Sequence, residues 1–270
     1  MILAQLSDTH VTLPGVKLDA RTHSATRLGR AVEHLLALPN PPDAVIVTGD
    51  LVDRGGAEEY ARLKELLRPL RMPVYVVPGN HDEREALRTA FASEHWMPKR
   101  GFIQYAIDQF PVRLLALDTN VPGEPGGRLC TERLDWLQGR LSEQPARPSL
   151  VFMHHPPYPT GHAVMDGMSL EGAEALAQIL LRYHNVELVT SGHVHRATHR
   201  RFGGTLAMTC PSTSHQLELT HGEGGGLAVV NEPPSCFVHR WTKETGVVSH
   251  ASVIGDYGER DVLHDGTGWL

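Results

Sequence analysis

Five short polar segments of this 270-residue chain carry residues that could do chemistry: SDTH at 7–10, TGD at 48–50, GNHD at 79–82, MHH at 153–155 and SGHVH at 191–195. They supply Asp8, His10, Asp50, Asn80, His81, His154, His155, His193 and His195. Oxygen and imidazole donors without thiolate suit zinc, manganese, iron or cobalt. Seven such ligands are enough for two ions if one carboxylate is shared. Asp50 is the natural bridge, because Gly49 before it lets the backbone pass close to the ions. His154 and His155 are neighbours in an extended segment, so their rings point oppositely and one of them should bind. His193 and His195 are two apart, face the same way and can both bind.

These segments need a scaffold that brings them together. Apolar runs at 1–6, 41–50, 74–82, 112–120, 149–157 and 186–195 read as strands. Helical spacing places Leu28, Ala31, Val32, Leu35 and Leu36 on one stripe over 26–38, and Tyr60, Leu63, Leu67 and Leu70 on another over 57–70. Further helices are expected over 131–141, capped by Thr131, and over 169–184, capped by Ser169. Alternating strands and helices argue for an α/β core with right-handed crossovers, which put successive strand ends on one edge. Ligands of open α/β sheets bind outside the carboxyl ends of the strands. Each polar segment sits at such an end. After residue 200, short strands (TLAMTC, LAVV, CFVHRW) with Gly/Pro-rich spacers such as HGEGGG make the remainder β-rich.

Composition narrows the function classes. The net charge is −6 and 41% of residues are hydrophobic, which supplies a core and argues against a protein that neutralises nucleic-acid phosphates. No apolar stretch approaches a membrane span. MILAQLSDTH lacks the basic start of a signal peptide. Cys130, Cys210 and Cys236 form no CxxC pair, so neither a disulfide framework nor a thiolate zinc site is expected. A cytoplasmic protein is the expectation.

A single D-x-H is more often a solvated loop than a ligand pair, but here Asp8-Thr9-His10, Gly49-Asp50, Gly79-Asn80-His81-Asp82, His154-His155-Pro156 and Gly192-His193-Val194-His195 follow in order. This series resembles the calcineurin-like metallophosphoesterase superfamily. LAQLSDTH, EEY, VPGNHD, FMHHPP and CFVHRW further resemble class III bacterial cyclic-nucleotide phosphodiesterases and enterobacterial-type glycerophosphodiesterases. The resemblance implies a four-layer αββα sandwich, with a catalytic core over 1–200. Residues 201–270 would be a β-rich segment that completes the sandwich, caps the site or forms an oligomer interface.

It also implies two divalent or mixed-valence metal ions (Mn, Fe, Zn or Co). Asp8, His10, Asp50 and His195 would hold one; Asp50, Asn80, His154 and His193 would hold the other. His81 would donate to a phosphate oxygen and act with Asp50 in catalysis, and Asn80 would also touch substrate. The implied reaction is hydrolysis of small phosphodiesters, cyclic nucleotides such as cAMP or glycerophosphodiesters, by attack of a metal-bound hydroxide. A homodimer or higher oligomer is implied, with no nucleic-acid polymer and no membrane as partner. Two divalent ions, less two aspartates and a hydroxide, leave a charge of about +1, suited to a singly charged diester.

GDLVDRG at 49–55 is similar to protein phosphatases, but those carry an arginine where Pro78 stands and a glycine where Val11 stands, which favours diesters. The competing readings are a phosphomonoesterase or nucleotidase on the same core, and a metal-binding module without catalysis. His155 is expected to bond backbone, Asp82 to fix a turn or support the ligands, and Asp53 and Arg54 to lie at the surface or fix a loop. Asn120 and His215 are expected to border the substrate pocket. His162, His199, His221 and His239 have no motif support.

Overall fold

A computed structural model describes residues 1–17, 19–220, 226–258, 261–264 and 266–269. His221 and most of the HGEGGG spacer lie outside the described residues. The first half contains β1 (Ile2–Leu6), α1 (Asp19–Thr22), α2 (Ser24–Leu36), β2 (Ala44–Thr48), α3 (Ala57–Leu67), β3 (Val74–Val77) and α4 (Arg84–Ala90). Then come β4 (Tyr105–Ile107), β5 (Arg113–Ala116), β6 (Gly127–Arg128), α5 (Thr131–Glu143), β7 (Ser149–Phe152), α6 (Ala163–Asp166) and β8 (Leu170–Glu171). The rest holds α7 (Ala173–Leu180), β9 (Val186–Ser191), β10 (Thr198–Phe202), β11 (Thr205–Thr209), β12 (Gln216–Leu217), β13 (Val229–Val230), β14 (Ser235–Thr242) and β15 (Gly246–Val253).

Two large sheets carry the fold, in the orders β15-β14-β1-β2-β3 and β10-β11-β9-β7-β5-β4. β1, β2 and β3 are parallel, as are β5, β7, β9 and β11. β2 is buried along its whole length, which explains its unbroken AVIVT run. Alternate residues of β5 serve different layers. Leu114 packs into the core between the sheets with Leu6, Val47, Leu150 and Met208. Leu115 packs outward with Leu137, Val151, Leu176 and Val189, the second core under α5 and α7. Leu28 and Leu35 of α2, with Leu63 of α3, cover the first sheet from its other side. The layer order is α/β/β/α, as expected. β14 pairs antiparallel with β1, so the C-terminal segment is built into the first sheet, and β10 runs across position 200.

Several boundaries differ from the sequence reading. α3 stops at Leu67: Arg68 keeps helical dihedrals, but Pro69 has no N–H to extend the ladder. Thr131 is the first helical residue of α5, not its cap; Cys130 holds that position without a side-chain bond. Ser169 does not cap α7. Leu170 and Glu171 instead pair with Gly127 and Arg128, and α7 starts after Gly172, whose φ of 89° glycine alone adopts readily. α4 has no counterpart in the sequence reading; Glu83 caps it, accepting from the N–H groups of Glu85 (3.1 Å) and Ala86 (2.6 Å).

Candidate metal centre

The carboxyl ends of β1, β2, β3, β7 and β9 meet at one rim and bring Asp8, His10, Asp50, Asn80, His154, His193 and His195 together. The backbone makes unusual turns to do this. Six non-glycine residues adopt positive φ among the described residues, and five are Asp8, His10, Asp50, His193 and His195. Asp and His tolerate this region better than most side chains, yet it costs conformational energy and concentrates at functional sites. Motif glycines supply the missing room. A Cβ on Gly79 would overlap the backbone nitrogen and carboxylate of Asp50, and one on Gly192 would overlap Ser7 Oγ. A Cβ on Gly49 would strike the His154 ring.

The donor atoms form two groups that share one oxygen. His10 Nε2 lies 3.2 Å from His195 Nε2 and 3.6 Å from Asp50 Oδ2, and His195 Nε2 lies 3.5 Å from Asp8 Oδ1. In the second group, Asn80 Oδ1 lies 3.0 Å from His154 Nε2 and 3.1 Å from His193 Nδ1, and His154 Nε2 lies 3.4 Å from Asp50 Oδ2. Ligands about 2.0–2.2 Å from one ion are about 2.8–3.6 Å apart, in tetrahedral or octahedral geometry. Both groups fit that spacing, and Asp50 Oδ2 belongs to each.

Hydrogen bonds outside the groups aim the rings. His154 Nδ1–H donates to the Thr48 carbonyl (2.8 Å) and His195 Nδ1–H to the His215 carbonyl (2.7 Å), leaving each Nε2 toward the centre. His195 Nε2 then turns a lone pair to a carboxylate oxygen, an apposition that a cation relieves. Burial holds His193 down to about 3 and His195 to about 4, and it also lowers His10, so all three are neutral donors. His154 is the exception. Burial opposes its charge, but Asp50, then Asp8 and the Thr48 carbonyl, push it up to about 9, so this point of the site demands a positive charge. Burial, reinforced by Asp50, pushes Asp8 up to about 7. Cation binding must displace that proton. The His154 proton must leave as well, so metal affinity, followed by titration calorimetry, should weaken as pH falls below about 9 and more steeply below about 7.

A polar chain between the sheets holds Asp8. Ser7 Oγ donates to Asp8 Oδ2 (2.5 Å) and accepts from Thr48 Oγ1 (2.7 Å), which accepts from Gln5 Nε2 (3.0 Å). Gln5 Oε1 accepts from Thr190 Oγ1 (2.6 Å) and from His239 Nε2–H (3.0 Å). His239, without a motif in the sequence, is thus an interior anchor. Gln5→Leu breaks this chain and should weaken metal affinity about 10–100-fold without removing a ligand, measured by competition with a chelator.

The centre opens into a cleft of about 420 Å³ whose walls include His81, His215, Met165, Met168, Leu217 and Leu227. His81 Nδ1–H donates to the Asp53 carbonyl (2.8 Å) and its backbone N–H to Asp50 Oδ1 (2.9 Å), and the ring is 39% exposed. Burial resists its charge, but Asp50 and the Asp53 carbonyl raise it above the ordinary imidazole value. His215 borders the cleft, 4.4 Å from the His195 ring and 5.2 Å from the His10 ring between centroids.

Asn120 does not line the cleft. It is buried, and its amide donates to the carbonyls of Gly79 and Asp82, tying down the loop that carries Asn80. The rings of His154 and His155 do not point oppositely, because the segment bends there; their centroids are 4.8 Å apart and His155 is 4.6 Å from His193, yet the Thr119 hydroxyl donates to His155 Nδ1 (2.8 Å) and its Nε2–H donates to the Pro125 carbonyl (3.2 Å). Asp82 accepts from the N–H groups of Gly79 (2.8 Å) and Leu51 (3.1 Å) and from Tyr60 Oη (2.9 Å). Arg54 is exposed, whereas Asp53 stands closer to the site than expected, its carboxylate 3.8 Å from His10 Nδ1. The apolar wall of Met165, Met168, Leu217 and Leu227 carried no motif; only the fold collects it.

A model of the calcineurin-like phosphoesterase family matches residues 1–197. A probable glycerophosphodiester phosphodiesterase of Arcobacter nitrofigilis is 37% identical over 258 residues, 95% of this chain and 94% of its own. A probable cyclic nucleotide phosphodiesterase of Rhodococcus erythropolis is 31% identical, over 83% of this chain and 74% of its own. A dimetal phosphatase from Danio rerio shares the fold, with a TM-score of 0.63 at 15% identity, over 94% of this chain and 99% of its own.

Proposed function

The chain belongs to the calcineurin-like phosphoesterase family as a phosphoric diester hydrolase, and we propose that it works with two metal ions on small diesters, either glycerophosphodiesters or 3′,5′-cyclic nucleotides. The observation that carries the dinuclear reading is Asp50 Oδ2, which lies in both donor groups. Asp8, His10, Asp50 and His195 would hold one ion, and Asp50, Asn80, His154 and His193 the other. When bound, the ions would supply Lewis-acid polarisation of the phosphoryl group and an activated water. Asp50 keeps its charge because His154 and His81 outweigh the burial penalty and hold it well below the ordinary carboxylate value. The apolar wall excludes water from one side of the cleft. No lysine or arginine lines this cleft among the described residues, which suits a singly charged diester better than a dianionic monoester.

His81 would donate a proton to the leaving alkoxide; its Nδ1–H is held by the Asp53 carbonyl, which leaves Nε2 for substrate. A general acid contributes about 100–10,000-fold. His81→Ala should therefore cost about 100-fold or more with an alkyl leaving group and far less with p-nitrophenolate. Equal losses on both would remove the acid role.

The reading is tested with Mn²⁺ added, by comparing bis(p-nitrophenyl) phosphate with p-nitrophenyl phosphate. Faster monoester turnover would favour a phosphomonoesterase; no turnover with metals bound would favour a non-catalytic module. We also expect a homodimer or higher oligomer, because Tyr257, Leu263 and Trp269 are left exposed. Light scattering giving only monomer would contradict it. No described helix is long and apolar enough to cross a membrane. The three cysteines are unpaired, which supports a cytoplasmic location.

A further inference from the structure

A second cavity of about 670 Å³ opens beside the metal cleft and shares His215 and Leu227 with it. Its polar walls are Arg21, His23, Arg27 and Asn231, and no described lining residue is a carboxylate. In a chain with 31 Asp and Glu against 25 Lys and Arg, that is a selective concentration of positive charge. The groove on the far side of Arg27 differs, since Glu33, Glu232 and Asp256 line it along with Arg30.

Among the described residues, none neutralises Arg27, which is held by uncharged partners. It donates to the Ser214 carbonyl and to Asn231 Oδ1 (2.6 Å), both uncharged. The 13-residue helix α2 begins here as well. His23 at its start, with φ 48° and ψ 40°, makes no side-chain cap, so the positive end of the helix dipole adds to the two guanidinium groups. The cleft wall of Met165, Met168, Leu217 and Leu227 can seat an uncharged organic arm that runs past His215 to this cavity.

We propose that the cavity binds a phosphomonoester carried on the organic arm of the diester substrate. Guanidinium forks match phosphate oxygens in a way that a single point charge does not. The diester would lie at the metals, and the second phosphate would sit between Arg21 and Arg27. Diesters with a phosphorylated arm are thus preferred over those with a plain one. This rests on the phosphodiesterase reading above.

Glycerophosphoinositol and glycerophosphoinositol 4-phosphate differ by that one group and give the test. The wild-type enzyme should favour the 4-phosphate by about 10–100-fold in kcat/KM, mostly through KM. Arg21→Gln should lose most of the preference while turning over bis(p-nitrophenyl) phosphate at the wild-type rate; Arg21→Lys should recover part of it. General structural damage would lower both inositol substrates together and leave their ratio unchanged. Equal kcat/KM in the wild type, turnover of neither inositol compound by an enzyme active on bis(p-nitrophenyl) phosphate, or a preference that survives Arg21→Gln combined with Arg27→Gln would each overturn the cavity's role alone. No turnover of any diester would overturn the phosphodiesterase reading, and the cavity's role with it.

Discussion

Asp50→Ala should release both metals and lower kcat/KM on bis(p-nitrophenyl) phosphate by at least about a thousand-fold. Asp50 Oδ2 stands 3.6 Å from His10 Nε2 and 3.4 Å from His154 Nε2, so its loss takes one ligand from each donor group. The charge matters as much as the contact. Asp50 is the leading influence that raises His154, so without it neither a proton nor a metal is well held there. Alanine also leaves the His81 N–H without the Oδ1 that accepts from it. Asp50→Asn separates the two effects, because its amide oxygen can still accept from His81 while the negative charge is gone. It should keep a folded chain with fewer metals. Metal content by mass spectrometry, read with a thermal melt, decides the case. Two ions retained by Asp50→Asn would overturn the bridging role.

The second large effect lies in the SGHVH turn. His193→Ala and His195→Ala should each lose one metal ion per chain, and His199→Ala should keep both. Removing one metal ligand should cost activity on the scale of the whole reaction, about a hundred-fold or more. His193 faces Asn80 (3.1 Å) and His195 faces His10 (3.2 Å), so one turn serves both donor groups. Positive φ at both residues turns their rings toward the centre, with Val194 buried between them. His199 lies beyond, exposed on β10, with its ring 6.2 Å from Phe237. If His193→Ala and His195→Ala lose the same ion, the division of labour within the turn is wrong. If His199→Ala loses one, exposure has misled.

Asp8, His10, Asp50, Asn80, His154, His193 and His195 were legible in the sequence because ligand chemistry restricts residue type, and because each stands just past an apolar run. A buried parallel strand needs such a run, and its carboxyl end is where a loop can leave the sheet. Hence strand ends, motif order and α/β class could be read from local pattern alone. Alternation did not separate His154 from His155: both lie in a bend with ring centroids 4.8 Å apart, and His155 differs because Thr119 and the Pro125 carbonyl take both its ring nitrogens.

Other features depended on contacts between distant residues. Asn120 reads as a polar strand end, but its amide is occupied by carbonyls 41 and 38 positions away in sequence. His239 carries no motif, but it donates to Gln5, 234 positions away, in a chain that ends on Asp8. Asp53 moves toward His10 because the backbone N–H groups of His10, Val11 and Asp53 bond across the β1 and β2 loops. The left-handed turns at five of these residues follow likewise from packing against Gly49, Gly79 and Gly192. The sequence by itself determined which atoms could hold metal and along which edge they would stand. Their mutual distances, the strained backbone that aims them and the basic cavity beside them were decided by tertiary structure, because each depends on segments that meet only when the two sheets close on one another.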